Sequence, residues 1–312
     1  MVVQARIIKH LLFIRQSGSG GRALHSLAVG PEEQDRALAA ALSDALWLAG
    51  QEAGATVTLV TGDHRATPHL DHFTERLQLF TFSRKDDVRK FLLQHIHCFK
   101  EEGSHGVILF LYSLVCSRTV DRLKEDLHST TSHLLYLRLG NFVCRQALLN
   151  LLLTGKASPN LCNGTRSSGL DGRPLARPLQ GVLSRGDVGY LHWSREQMER
   201  GRLLQVGSRL KTPRFPVWIC CINSSFSVLF GLNRSLLSDW RMEHRFHLFY
   251  CSGQNPQRAA VRLAVDTHSH HWEASCRRPD GDPETRFSSL EMTIRTKWDG
   301  AAIDWSGTAP FS

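Results

Sequence analysis

Long hydrophobic runs are missing from this 312-residue chain. The longest, Gly106 to Cys116, is well short of the roughly 20 residues that a membrane-spanning helix needs, so no transmembrane segment is expected. No signal peptide is expected either, because Arg6, Lys9 and Arg15 interrupt the apolar pattern of the opening residues, and the expected location is the cytosol or nucleus. Cysteine is scarce: the chain has 8, and no CxxC spacing to suggest a zinc or redox pair. Cys98, Cys116, Cys144, Cys220, Cys221 and Cys251 lie within apolar segments and read as reduced thiols packed as small hydrophobes rather than as a disulfide framework. No internal repeat or heptad series is present. The tripeptides beginning at Asn163, Asn223 and Asn233 match the glycosylation acceptor pattern, but without an export signal they carry no weight.

What is present is an ordinary globular composition, 42% hydrophobic and 21% charged, which excludes a disordered tail or a fibre. The length suits one large domain or two small ones. Lys and Arg number 38 against 29 Asp and Glu, a formal charge of +9. These cations are scattered and mixed with carboxylates, which reads as a solvated basic surface rather than a nucleic-acid strip.

Val3, Ile7, Ile8, Leu11, Leu12 and Ile14 recur three and four apart, predicting an opening helix packed by one face. Gly18 to Gly21 reads as a break, and Pro31 with Glu32 and Glu33 starts an alanine-rich helix running to about Gly54. Val57 to Val60 and Leu77 to Phe82 read as strands. Ser83 with Asp86 resembles a capping box for a helix ended by Gly103. Val107 to Val115 reads as a buried strand, although periodicity alone does not separate it from a buried helix. Ser117 is expected to cap a short polar helix, and Asn141 to precede one with the stripe Val143, Ala147, Leu148, Leu151 and Leu152, stopping at Gly155.

Pro, Gly, Ser and Asn dominate from Lys156 to Pro178, predicting a long surface loop. Beyond it Pro216 to Ile222, the turn Asn223-Ser224, and Ser225 to Phe230 read as a hairpin. Further strands are expected at Phe246 to Cys251, Ala259 to Asp266 and Leu290 to Thr296, with a charged loop from Trp272 to Phe287. The fold class is α+β: a helix-rich part over 1–155, a flexible loop over 156–178 and a sheet-rich part of the same domain over 179–312.

No metal or cofactor is expected. The cluster Thr267-His268-Ser269-His270-His271-Trp272 could ligate a metal, but no Cys, Asp or Glu stands at ligand spacing and it reads as an exposed turn. Two prolines in Leu210 to Pro216 make a rigid lead-in to the hairpin, and Trp298 and Trp305 read as closing a core.

Taken together, Leu151 to Ala157, Ser184 to Gly189, Gln205-Val206-Gly207, Leu210 to Pro216, Phe226 to Phe230, Asp239-Trp240-Arg241 and Ile294 to Trp298 resemble the MINDY family of lysine-48-linkage-selective deubiquitinases, the branch with a C-terminal catalytic domain. The resemblance implies a cysteine-protease layout, with a thiolate at a helix N-terminus and a histidine on a distant strand. It places the nucleophile, in a Gly-Gly-Pro-Cys-Gly turn, ahead of Met1. It places the histidine at the position that Ser225 occupies here, preceded by Ser224. His244 and His247 are far along the sequence from that position, and Cys220 and Cys221 belong to the hairpin's first strand. The expectation is a pseudoenzyme without an intact catalytic residue, with lysine-48-linked polyubiquitin as its partner. The alternatives are an active hydrolase whose N-terminal catalytic segment is missing from this sequence and, in another class, a basic nucleic-acid-binding module.

Overall fold

The computed structural model describes residues 1–14, 29–60, 76–127, 133–138, 140–168, 173–253, 259–268 and 288–306. The expected break at 18–21 and the loop at 272–287 lie outside them. The chain forms two compact units, Ile14–Asn160 and the combination of Met1–Phe13 with Leu161–Ser312. The opening helix, α1 (Val2–Phe13), is thus grouped with the C-terminal part of the chain rather than with the helices that follow it. Its most buried residues are Val2, Ala5, Arg6 and Lys9, while Ile7, Ile8, Leu11 and Leu12 are half-buried. Lys9 Nζ donates to the Asp187 carboxylate at 3.0 Å, which compensates a buried ammonium.

The unit Ile14–Asn160 is built on α2 (Pro31–Ala49), whose Pro31 and first-turn Glu32 and Glu33 start it as expected. It ends at Ala49, short of Gly54. The strands β1 (Ala55–Val60) and β2 (Leu77–Phe82) form an antiparallel pair with Val57 opposite Phe80. The helix α3 (Lys85–Gln94) begins at N-cap Arg84 without a side-chain cap, so the expected Ser83 capping box does not form. Asp86 and Asp87 act instead as first-turn charges favoured by the helix dipole. A second short helix, α4 (His97–Lys100), follows.

The expected strand at 107–115 is a helix, α5 (Gly106–Arg118). Its buried residues Gly106, Leu109, Phe110, Ser113, Leu114, Ser117 and Arg118 recur with helical period, while Val107 is 75% exposed. Two of the buried residues are hydroxyls spaced four apart. The amides of Thr58 and Thr56 donate to Ser113 Oγ and Ser117 Oγ at 2.8 and 2.9 Å, so α5 satisfies one edge of β1. Ser117 is therefore inside a helix rather than a cap, and α6 (Val120–Leu127) follows a turn at Thr119 with φ of 68°.

Asn141 likewise opens a strand and not a helix. The pair β3 (Leu135–Arg138) and β4 (Asn141–Cys144) precedes α7 (Gln146–Thr154), and Val143 belongs to the strand. Gly155 ends α7 at φ of 77°, in left-handed conformation, and a Cβ there would collide with the carbonyl of Leu48.

In the second unit the expected loop at 156–178 is partly a hairpin, β5 (Thr165–Ser168) with β6 (Pro174–Gln180), paired through their backbones despite polar and proline-rich content. A strand that the sequence reading did not identify follows, β7 (Gly189–Trp193), and then the short helices α8 (Arg195–Glu199) and α9 (Ser208–Lys211). The hairpin β8 (Val217–Ile222) and β9 (Ser225–Phe230) forms as expected. Two 3-10 turns, Arg234–Leu237 and Trp240–Glu243, lead to β10 (Arg245–Cys251) and β11 (Val261–Asp266).

The expected strand at 290–296 is also a helix, α10 (Ser289–Arg295), and β12 (Ala302–Asp304) closes the sheet. Ser288 caps α10 by accepting from the Glu291 amide, and the Arg295 guanidinium reaches Glu291 four residues earlier at 3.2 Å. The sheet order is β12-β11-β10-β9-β8-β7, antiparallel except for β7 against β8. Trp298 and Trp305 close its core as expected: Trp298 sits edge-on to Trp218 at 5.5 Å, and Trp305 Nε1 donates to Glu291 at 2.8 Å. Helices with a mostly antiparallel sheet make the fold α+β.

Candidate functional site

The β8–β9 turn sets the geometry at position 225. Asn223 and Ser224 both have positive φ, 47° and 69°, the pairing required by a two-residue turn whose twist matches the strands. The Asn223 side chain anchors it on both sides, accepting from the Arg195 amide at 2.9 Å and donating to Ser289 Oγ at 3.2 Å. Ser225 is exposed at the head of β9 opposite Ile222, and the pairing of Cys220 with Ser227 puts these four residues on one face of the hairpin.

The start of α1 lies at this same end of the sheet. The Met1 side chain packs against Gly253, whose φ of 69° suits glycine and whose Cβ, if present, would meet the Met1 thioether methyl. Gly253 follows β10 by two residues, and Cys251 at the end of β10 pairs with Val228, three residues after Ser225. A helix N-terminus and the head of β9 thus share one sheet end. This is where the resemblance requires a nucleophile and a base to approach.

Among the described residues, the sheet and its lead-in carry His192, His244 and His247, and none of them shares both the face and the end of Ser225. His244 and His247 lie at the opposite end, near the start of β10: His244 packs on Trp240 at 5.2 Å and edge-on to His268 at 4.0 Å, and His247 Nε2 faces the Arg262 guanidinium at 2.8 Å. His192 lies near the Ser225 end, on β7, beside Cys221 in register but on the other face of the sheet from Ser225. It is buried, with Nε2 at 3.1 Å from Gln197 and Nδ1 at 3.5 Å from the Tyr190 hydroxyl. This buried Tyr190-His192-Cys221 group was missed in the sequence. The aromatic alternation of Gly189 to Trp193 was the available signal. Of the histidine-rich cluster only Thr267 and His268 are described, and Thr267 Oγ1 donates to the Glu243 carbonyl at 2.8 Å. Among the described residues, no group of three or more His, Cys, Asp or Glu could hold a metal ion.

Burial pushes the thiols of Cys98, Cys116, Cys220, Cys221 and Cys251 up from their ordinary range. At Cys221 the Tyr190 hydroxyl and a backbone bond from Ser224 work against that rise. A raised thiol pKa means less thiolate at a given pH, so none of these cysteines is set up as a nucleophile. At about pH 8, a disulfide reagent is expected to label these five at least about tenfold more slowly in the native protein than after denaturation. Rapid native labelling of Cys220 or Cys221 would contradict this.

Comparisons with known proteins identify the family. The family model for the conserved domain of deubiquitinating enzyme MINDY-3/4 matches residues 1–307. The chain is 37% identical to "Probable ubiquitin carboxyl-terminal hydrolase MINDY-4" of Mus musculus over 99% of its own length and 40% of that protein. It is 38% identical to the Xenopus tropicalis protein of the same name, over 99% of its length and 39% of that relative. The ubiquitin carboxyl-terminal hydrolase MINDY-3 of Danio rerio is 28% identical over 76% of this chain and 55% of that protein. The chain spans about two fifths of the length of the MINDY-4 relatives it matches. No solved structure matches it. Family model and relatives cover the sheet, the hairpin and α1 alike, and the chain belongs to the MINDY-3/4 family of deubiquitinating enzymes.

Proposed function

We propose that this domain recognises lysine-48-linked ubiquitin chains, in the cytosol or nucleus, and is catalytically silent. The observation that carries the reading is Ser225 at the head of β9, the position at which the resemblance places the family's histidine. Isopeptide cleavage by a thiol needs a neighbouring imidazole to take the thiol proton and return it to the departing lysine amine. A serine hydroxyl does not titrate near neutral pH and cannot hold that proton. Family membership supports ubiquitin as the partner class, and the intact hairpin and core support a folded recognition surface.

The test is a titration of the purified protein with lysine-48-linked tetraubiquitin, followed by incubation and gel analysis. Saturable binding at about micromolar concentration without chain shortening is the expected result. Cleavage overturns catalytic silence, and absence of binding up to about 1 mM overturns chain recognition.

A further inference from the structure

The end of the sheet remote from Ser225 gathers several of the segments that carry the family resemblance. The Arg185 guanidinium donates to the carbonyls of Thr212 and Pro213 at 2.6 and 2.8 Å, fastening 184–189 to the proline-flanked lead-in. Lys211 Nζ donates to the Thr296 carbonyl at 2.6 Å. Lys297 lies over the Trp298 ring at 4.5 Å and pairs with Glu243 at 3.5 Å. Arg234 stacks on Phe215 at 4.8 Å from the ring centre, and the two 3-10 turns are tied by the Asp239 amide donating to the Ser235 carbonyl at 2.9 Å. Cations that the sequence scatters are thus collected in one place.

The carboxylates here already have partners. Asp187 takes Lys9 at 3.0 Å and Arg214 at 3.7 Å, Asp239 accepts from the Arg241 amide at 3.0 Å, and Glu243 takes Lys297. The exposed guanidiniums of Arg234 and Arg241 have an aromatic ring beside them but no carboxylate partner among the described residues. On either side of Arg241 in sequence stand Trp240, 69% exposed, and Met242, 38% exposed. Large exposed side chains of this kind beside unpaired arginines mark interaction surfaces.

We infer that the surface formed by Arg234, Trp240, Arg241 and Met242 binds an acidic peptide segment of a partner protein. The two free guanidiniums take side-chain carboxylates as bidentate ligands, and Trp240 with Met242 covers an apolar side chain between them. A peptide suits this surface better than a nucleic acid. Asp187 and Glu243 already pair with cations here, which breaks up the run of positive charge that a continuous phosphate backbone would follow, whereas separate carboxylates can meet Arg234 and Arg241 alone. This inference uses neither Ser225 nor its end of the sheet.

The experiment uses the whole chain and fluorescence anisotropy with three probes: a peptide alternating Glu with Leu, its Gln-for-Glu counterpart, and a single-stranded oligonucleotide of equal charge. The acidic peptide is expected to bind, with affinity falling as salt rises. The Arg234→Glu and Arg241→Glu exchanges are each expected to weaken it by about tenfold or more, Trp240→Ala by a similar factor, and Arg241→Lys by less. Because these side chains are exposed, circular dichroism of the variants is expected to match the parent. Absence of peptide binding, equal binding of the Gln counterpart, indifference to the three disruptive exchanges, or tighter binding of the oligonucleotide each overturns the inference.

Discussion

When the family's Gly-Gly-Pro-Cys-Gly turn is fused ahead of Met1, replacing Ser225 by His is expected to raise cleavage of lysine-48-linked tetraubiquitin by about 10²- to 10⁴-fold over the same fusion with Ser225 retained. The size follows from what the base does. Without it the thiol is mostly protonated and the amine leaves as a poor, unprotonated group, and losing one member of a coupled pair removes most of what the pair achieves. The geometry gives the exchange room to succeed. Ser225 is exposed, its turn is held from both sides by Asn223, and the start of α1 packs at the same end of the sheet through Met1 and Gly253. An imidazole at 225 displaces no packed neighbour. Single-turnover assays of both fusions decide the matter: equal rates would remove the role assigned to position 225.

The second large effect concerns folding. Asp126→Ala is expected to destabilise the unit Ile14–Asn160 by about 3–5 kcal/mol, measured as a shift of its urea transition. Arg118 and Asp126 form a buried bidentate pair, with Nε and Nη2 each donating at 2.8 Å, and Asp126 also accepts from the Ala157 amide at 2.9 Å. Their side chains are only 3% and 7% exposed. Removing the carboxylate strands a guanidinium and a backbone N–H in the interior together. That is a large share of the roughly 5–15 kcal/mol that holds an ordinary domain folded. The paired exchange Arg118→Met with Asp126→Leu removes both charges and is expected to cost clearly less. If the single exchange leaves the transition where it was, the pair contributes nothing net.

The parts of the fold readable in the sequence were those governed by local chemistry. The Asn223-Ser224 turn, Pro31 at the start of α2 and Gly155 after α7 are each dictated by what one or two residues can do with their backbone. The two helices mistaken for strands show what competes with that. In α5 the apolar run hid the period, and only Ser113 and Ser117 betrayed it, as hydroxyls meaningless until β1 lies beside them. In α10 the cap Ser288 with Glu291 competes with the apolar, β-branched content of Leu290 to Ile294, which by itself favours a strand. Of the candidate site, the sequence offers Ser225 alone, and only through the family resemblance. The Tyr190-His192-Cys221 group and the Arg234-Trp240-Arg241 surface come from strands and turns that meet only in three dimensions.

The hydroxyls of α5 also bear on which edge of the β1–β2 pair is open to another chain. A two-stranded sheet ordinarily offers two rows of unmatched amides and carbonyls to any extended chain that drifts past. By occupying alternate amides of β1 from the side, Ser113 and Ser117 leave the flank of β2, among the described residues of this pair, as the row open to such recruitment.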